Sequence, residues 1–128
     1  MINIFIRKGH NPTTGEPFYY LQYSRRGVTE ITEIAEDMAE HSTFSVGEIA
    51  GIMLDVPKRI MRELADGNDV HIPGFGTFKT KINSKAAATP EELSTRSISL
   101  EVVYEPELTL EHRLTEKAKY QIVKYKKK

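Results

Sequence analysis

The sequence predicts an α+β fold: a helical hairpin as a base, a three-stranded antiparallel sheet, a C-terminal helix and an extra N-terminal β-hairpin. Three observations predict it. Apolar residues recur at helical spacing in two successive stretches between residues 29 and 66. They alternate with polar residues, the period of a half-buried strand, around residues 70–82 and 98–104. Clusters of Asn, Pro and Gly separate these stretches where the chain must turn.

Taken in order, Ile2, Ile4 and Ile6 alternate with polar residues up to Gly9-His10-Asn11-Pro12-Thr13-Thr14-Gly15, and Phe18-Tyr19-Tyr20-Leu21-Gln22-Tyr23 follows. That pattern reads as a hairpin with a long turn. Ile31, Ile34, Ala35 and Met38 mark one face of a helix over about residues 29–41, with Thr29 as its N-cap. Ser45-Val46-Gly47-Glu48 is a capping box that satisfies two orphan backbone donors at the start of a second helix. Its apolar face is Val46, Ile49, Met53, Val56, Ile60 and Leu64, and Gly67 and Asn68 suit its exit. Pro57 lies inside it, removes one helical hydrogen bond and predicts either a kink or a break.

Val70 and Ile72, the turn Pro73-Gly74-Phe75-Gly76 and the stretch to Ile82 read as a hairpin. Phe78, Thr80 and Ile82 fall on one face of its second strand, and Thr77, Lys79 and Lys81 on the other. Ile98, Leu100, Val102 and Tyr104 supply a third strand. Thr89-Pro90-Glu91-Glu92 predicts a short helical turn with Thr89 as cap and Glu92 closing a capping box. After Pro106, Leu108, Leu110, Leu114 and Ala118 predict a last helix to about Lys119, and the segment Tyr120 to Tyr125 predicts one more strand.

At 128 residues the chain holds one domain with short extensions, and a core of that size gains from oligomerisation. The absence of Cys excludes a disulfide scaffold, a thiolate zinc site and a thiol nucleophile. No apolar run approaches the ~18 residues that span a bilayer, and the start is too short and polar for a signal peptide, so a cytoplasmic protein is expected. His10, His41, His71 and His112 are scattered without ligand spacing, which predicts no metal and no cofactor. Gly74 and Gly76 lie between strands, not before a helix, so they serve a tight turn and not a phosphate loop. No Ser, His and Asp spacing converges, and no enzyme is expected.

Net charge is zero, but the charges are sorted along the chain. Residues 31–66 hold eight acids against Lys58, Arg59 and Arg62, whereas residues 67–90 hold Asp69 against Lys79, Lys81 and Lys85. Residues 117–128 hold six Lys and no acid, the pattern of a solvated tail.

The order helix, helix, hairpin, long connection, strand, helix, centred on Asp69-Val70-His71-Ile72-Pro73-Gly74-Phe75-Gly76-Thr77-Phe78, resembles the HU/IHF family of bacterial nucleoid-associated, histone-like proteins. The likeness covers about residues 29–119, and Val103-Tyr104-Glu105-Pro106 resembles the family's last strand entering its final helix. The N-terminal hairpin is similar to that of variant HU-like domains of Bacteroidetes-type bacteria. The resemblance implies an IHF-like fold and an intertwined dimer, either a homodimer or a paralogue heterodimer. Two β-arms then reach into the minor groove of double-stranded DNA and bend it, in the bacterial nucleoid. It implies no membrane and no small-molecule substrate.

Within that frame Lys79, Lys81, Lys85 and Arg96 are the leading phosphate contacts, and Lys117 and Lys119 are further ones, while Lys124 and Lys126 to Lys128 add non-specific affinity. Phe75, Phe78 and Tyr104 are assigned to the core and dimer interface. The family's arm is rich in Arg with a tip of the type Arg-Asn-Pro-x-Thr-Gly, whereas Asn83 to Ser97 is short, offers Lys85 and Arg96 and contains Glu91 and Glu92. A segment resembling the missing tip, Gly9 to Glu16, stands in the N-terminal hairpin behind Arg7 and Lys8. That hairpin is a second candidate contact, with Pro12 near the groove and Arg7 and Lys8 on phosphates, although Asn-Pro and Thr-Gly are also ordinary turn formers.

The domain reading is therefore an N-terminal hairpin over 1–28, an HU/IHF-like domain over 29–119 and a strand with a lysine-rich tail over 120–128. The expected function is DNA binding. Two alternatives are an interaction or scaffolding dimer that has lost strong DNA binding, and a single-strand binder that stacks bases on Tyr19, Tyr20 and Tyr23 near Arg25 and Arg26.

Overall fold

The structure, a computed structural model, describes residues 1–124. Its elements are β1 (Ile2–His10), β2 (Pro17–Ser24), α1 (Ile31–Glu40), α2 (Val46–Ala65), β3 (Val70–Ile72), β4 (Gly76–Asn83), β5 (Ser99–Pro106), α3 (Leu108–Lys117) and β6 (Tyr120–Ile122). Short 3-10 turns at Pro90–Glu92 and Thr95–Ser97 lie between β4 and β5. The chain divides into two compact units, one of Met1–Thr29 with the chain from Arg113 onward, the other of Glu30–His112. The division falls inside α3, so residues 113–119 group with the N-terminal hairpin and not with the helical and sheet unit. The lysine tail beyond Lys124 lies outside the described residues.

In the first unit β1 and β2 pair antiparallel from Asn3↔Ser24 to His10↔Pro17. The predicted long turn is closed on itself. The Asn11 carbonyl accepts the Gly15 N–H at 2.8 Å, the Asn11 N–H donates to the Glu16 carbonyl at 2.9 Å, and the Asn11 Oδ1 accepts the Thr13 N–H at 2.9 Å. Asn11 is thus used by the turn itself. The last predicted strand forms over Tyr120–Ile122 only, with Val123 and Lys124 outside it and Tyr125 beyond the described residues. As β6 it runs parallel to β1 over Ile2↔Tyr120 to Ile4↔Ile122, which gives the sheet order β2-β1-β6. The Ile2 N–H donates to the Lys119 carbonyl at 2.7 Å and the Val123 N–H to the Ile4 carbonyl at 2.8 Å, tying the two ends of the chain together.

The second unit starts one residue later than predicted. Glu30, not Thr29, caps α1, because the Glu33 carboxylate accepts the Glu30 N–H at 3.1 Å and completes a box that Thr29 is out of register to join. At α2 half of the predicted box forms: the Ser45 Oγ accepts the Glu48 N–H at 3.1 Å, but the Glu48 carboxylate takes the Ser45 hydroxyl at 3.0 Å in place of its backbone N–H. Pro57 sits within one uninterrupted helix, so the chain does not break there. The exit is a Schellman motif: the Asn68 N–H reaches the Glu63 carbonyl at 3.0 Å and the Gly67 N–H reaches that of Leu64 at 3.1 Å.

β3, β4 and β5 form the predicted antiparallel sheet in that order. The Ile72-Pro73-Gly74-Phe75 turn is closed by the Phe75 N–H on the Ile72 carbonyl at 3.0 Å. Proline at its second position and Gly74 at φ 78° at its third make it type II. Between β4 and β5 the Thr89 side chain makes no cap bond. Glu92 donates its N–H to the Thr89 carbonyl at 3.2 Å instead, so a 3-10 turn replaces the expected capping box. α3 ends at Lys117, two residues before the predicted end, where the chain must extend to reach β6.

Burial in this unit is sparse. Ala35 and Ile49 are buried, whereas Met61, Leu100 and Val102 remain 67%, 61% and 68% exposed. Pro57, Ile60, Met61 and Leu64 of α2 face Phe78, Thr80, Leu100 and Val102 of the sheet across an open apolar groove of about 490 Å³.

Candidate nucleic-acid interface

Antiparallel pairing decides which side chains share a face of the sheet in the second unit. Phe78↔Tyr104, Thr80↔Val102 and Ile82↔Leu100 stand on the groove side, and Thr77↔Glu105, Lys79↔Val103 and Lys81↔Glu101 on the other. The alternation read from the sequence therefore holds, and Lys79 and Lys81 do share one face. That face is not a cationic one. The Lys79 ammonium lies 3.0 Å from the Glu105 carboxylate, whose hydrogen bond and charge hold the lysine above its ordinary range. Lys81 stands across from Glu101. A phosphate approaching here must displace or tolerate two carboxylates. Lys85 and Arg96 are exposed beyond the ends of β4 and β5, in a connection that also carries Glu91 and Glu92.

Phe75, Phe78 and Tyr104 come together as one aromatic cluster, with ring centroids 5.0 to 6.4 Å apart. The Tyr104 hydroxyl donates to the Phe75 carbonyl at 2.9 Å, and the Glu107 N–H donates to the same oxygen at 3.2 Å. Below them the His71 Nε2 lies 2.8 Å from the Glu107 carboxylate. The Pro-Gly-Phe-Gly turn is in this way pinned to the end of β5, which explains why the two stretches of sequence carry matching residues.

In the first unit Arg7 and Lys8 are neighbours on β1 and so project to opposite faces of the hairpin. Arg7 donates to the Gln22 Oε1 at 3.0 Å, and Lys8 stands opposite Tyr19. Pro12 is exposed in the turn beyond them. Lys117 and Lys119, at the end of α3 and before β6, line a shallow depression with Met1, Ile2 and Leu114. Arg25 follows β2 at the same end of the sheet and lies over the Tyr23 ring at 5.3 Å, a cation–π contact.

The two units differ in charge. Among the described residues the first carries Arg7, Lys8, Arg25, Arg26, Arg113, Lys117, Lys119 and Lys124 against Glu16 and Glu116. The second carries Lys58, Arg59, Arg62, Lys79, Lys81, Lys85 and Arg96 against sixteen acids. Arg25, Arg26 and Arg113 are absent from the phosphate contacts expected from sequence. Windows along the chain cannot reveal this grouping, because a parallel strand pair separated by most of the chain is what joins its two ends. The Asp37, Glu40 and His41 side chains converge closely enough to hold a cation, but all three are exposed.

Comparison with curated proteins returns no match. Among solved structures the chain resembles the crystal structure of a candidate bacterial DNA-binding protein from Bacteroides vulgatus, with a TM-score of 0.67 at 11% sequence identity. That likeness covers 95% of this chain and 47% of the other, so the chain spans about half the length of that protein. Described as an HU domain fused to wHTH, Ig, or Glycine-rich motif, a family model matches residues 3–121. By that match, with the helical hairpin and the Pro-Gly-Phe-Gly turn pinned to β5, the chain belongs to this HU-domain family.

Proposed function

We propose that the protein binds duplex DNA as an HU-type dimer, through phosphate contacts that tolerate sequence, and bends the duplex. The observation that carries the reading is the HU-domain architecture over residues 3–121. The Bacteroides vulgatus neighbour, itself described as DNA-binding, supports it. The apolar groove between α2 and the sheet supports the dimer, since Met61, Leu100 and Val102 are too exposed for a chain that functions alone. The candidate contacts are Lys79, Lys81, Lys85 and Arg96 of the second unit and Arg7, Lys8, Lys117 and Lys119 of the first. Pro12 at the hairpin tip is the apolar group nearest to a groove-inserting wedge. The setting is the bacterial nucleoid.

Fluorescence anisotropy of a labelled ~30 bp duplex across a salt series tests the reading, a length that covers a bent site. Binding that weakens steeply with salt is expected, with energy transfer between labelled duplex ends rising as the DNA bends. A second reading, an HU-fold interaction dimer without DNA affinity, is favoured by the sixteen acids of the second unit and by the Lys79–Glu105 pair. No duplex binding at low salt would select it.

A further inference from the structure

We infer that the main DNA-contacting surface of this protein is the first unit, the N-terminal hairpin with the chain end folded against it, and not the sheet and connection of the second. This inference rests on the DNA-binding reading and assigns its site. Charge carries the first step. DNA presents one negative charge per ~1.7 Å of duplex axis, so affinity follows the number of phosphates a surface neutralises. The second unit, with seven bases and sixteen acids, repels such a polyanion, and its sheet lysines already face Glu105 and Glu101. In the first unit Glu16 is the one acid before Glu30, against Arg7, Lys8, Arg25 and Arg26.

Geometry carries the second step. β6 pairs with β1 only over Ile2, Asn3 and Ile4. Beyond Ile4, β1 and β2 continue as a two-stranded ribbon to the turn at Asn11, an element of a width that a major groove admits. Arg7 and Lys8 project from opposite faces of that ribbon, so each face presents a cation whichever one meets the duplex. At the other end of the sheet, Arg25 follows the Asn3↔Ser24 pair on β2 and the Lys119 carbonyl accepts the Ile2 N–H just ahead of β6, so the two residues flank the start of β1 at one end of the sheet. With strand residues ~3.3 Å apart, the two basic groups stand about 20 Å from each other along the ribbon, a strip long enough to meet several phosphates at once.

The test compares two variants of the full chain by duplex anisotropy over a salt series, each checked for fold by circular dichroism. In R7A/K8A/R25A/R26A the log–log salt slope should fall by roughly 2 to 3, at about 0.9 for each of up to three phosphate contacts, and affinity near ~0.1 M salt should drop at least ~100-fold. The rival variant K79A/K81A/K85A/R96A should lose less than half of that slope. Should the first variant fail to fold, K8E, which changes one exposed strand position, is expected to weaken binding about tenfold or more. The charge-preserving R7K/R25K/R26K is expected to bind within a few-fold of wild type. Wild-type binding that survives R7A/K8A/R25A/R26A or K8E and disappears in the rival variant would overturn the inference and leave the DNA-binding reading standing. Tighter binding to the matching single strand would overturn the duplex assignment of this surface. If the wild type binds no DNA and instead self-associates in a salt-dependent way, both fall, and the basic unit belongs against the acidic unit of another copy.

Discussion

Gly76 opens β4 where no side chain fits. A Cβ there would run into the Glu105 carbonyl and come within 2.8 Å of the Tyr104 ring, and the backbone has φ 153°, which L residues rarely adopt. Gly76→Ala is therefore expected to cost about 3 kcal/mol or more, from clash and strain together, read as a lower urea midpoint. Tyr104→Phe should be milder. It removes one hydrogen bond, but the Glu107 N–H still satisfies the Phe75 carbonyl, so a loss of about 1 kcal/mol is expected. On α2 the Arg59 guanidinium, 2.6 Å from Asp55, holds that carboxyl below its ordinary range by hydrogen bond first and charge second. A lowered folded value adds stability above the ordinary carboxylate range, and that stability is lost as pH falls through the folded value. Both groups are exposed, so the gain is small and weakened by salt. Asp55→Asn should flatten the acid limb of a melting-temperature profile at low salt and leave the neutral plateau nearly unchanged.

Single elements show what local chemistry writes into a sequence. Ser45→Ala deletes the acceptor for the Glu48 N–H and should cost about 1 kcal/mol in chemical denaturation, the usual value for a lost N-cap. That cap was legible because its four residues are contiguous. The same holds for the Schellman exit at Gly67 and Asn68 and for the Pro73-Gly74 turn, where backbone geometry selects the residue type. The face assignment along β4 was legible too, since period two fixes it without reference to partners. Pro57 was not decidable from its neighbours. Apolar positions continue in helical phase on both sides of it, a pattern that one helix and two successive helices share, and the chain forms one. β6 is the opposite case. Its existence was legible in Tyr120 to Ile122, but its parallel partner was not, because nothing local names a strand at the other end of the chain. The candidate site inherits that limit: Lys79 and Lys81 were found by alternation, while Glu105 and Glu101 across from them, and the basic grouping of the two chain ends, depend on non-local register.

For the molecule as a whole, the burial pattern and the charge pattern demand different partners, and the two can be separated by salt. Ile82, Leu100 and Val102 line up along the sheet, and Met61 faces them from α2, yet all four are at least 60% exposed in the single chain. Fully covering a side chain of this kind is worth roughly 1.5–3 kcal/mol, so in the proposed dimer covering this groove with a second copy is strongly favourable. Leu100→Asp places a charge in it twice per dimer and should raise the dimer dissociation constant at least ~100-fold, which is about 3 kcal/mol. Analytical ultracentrifugation checks this directly, and the wild-type melting temperature should rise with protein concentration, as it does when folding and association are linked. Because the contact is apolar, association should hold or strengthen as salt rises, while duplex affinity through Arg7, Lys8, Arg25 and Arg26 falls. A dimer that dissociated with rising salt in parallel with the DNA complex would mean that the acidic and basic units hold the copies together, and would remove the groove from the interface.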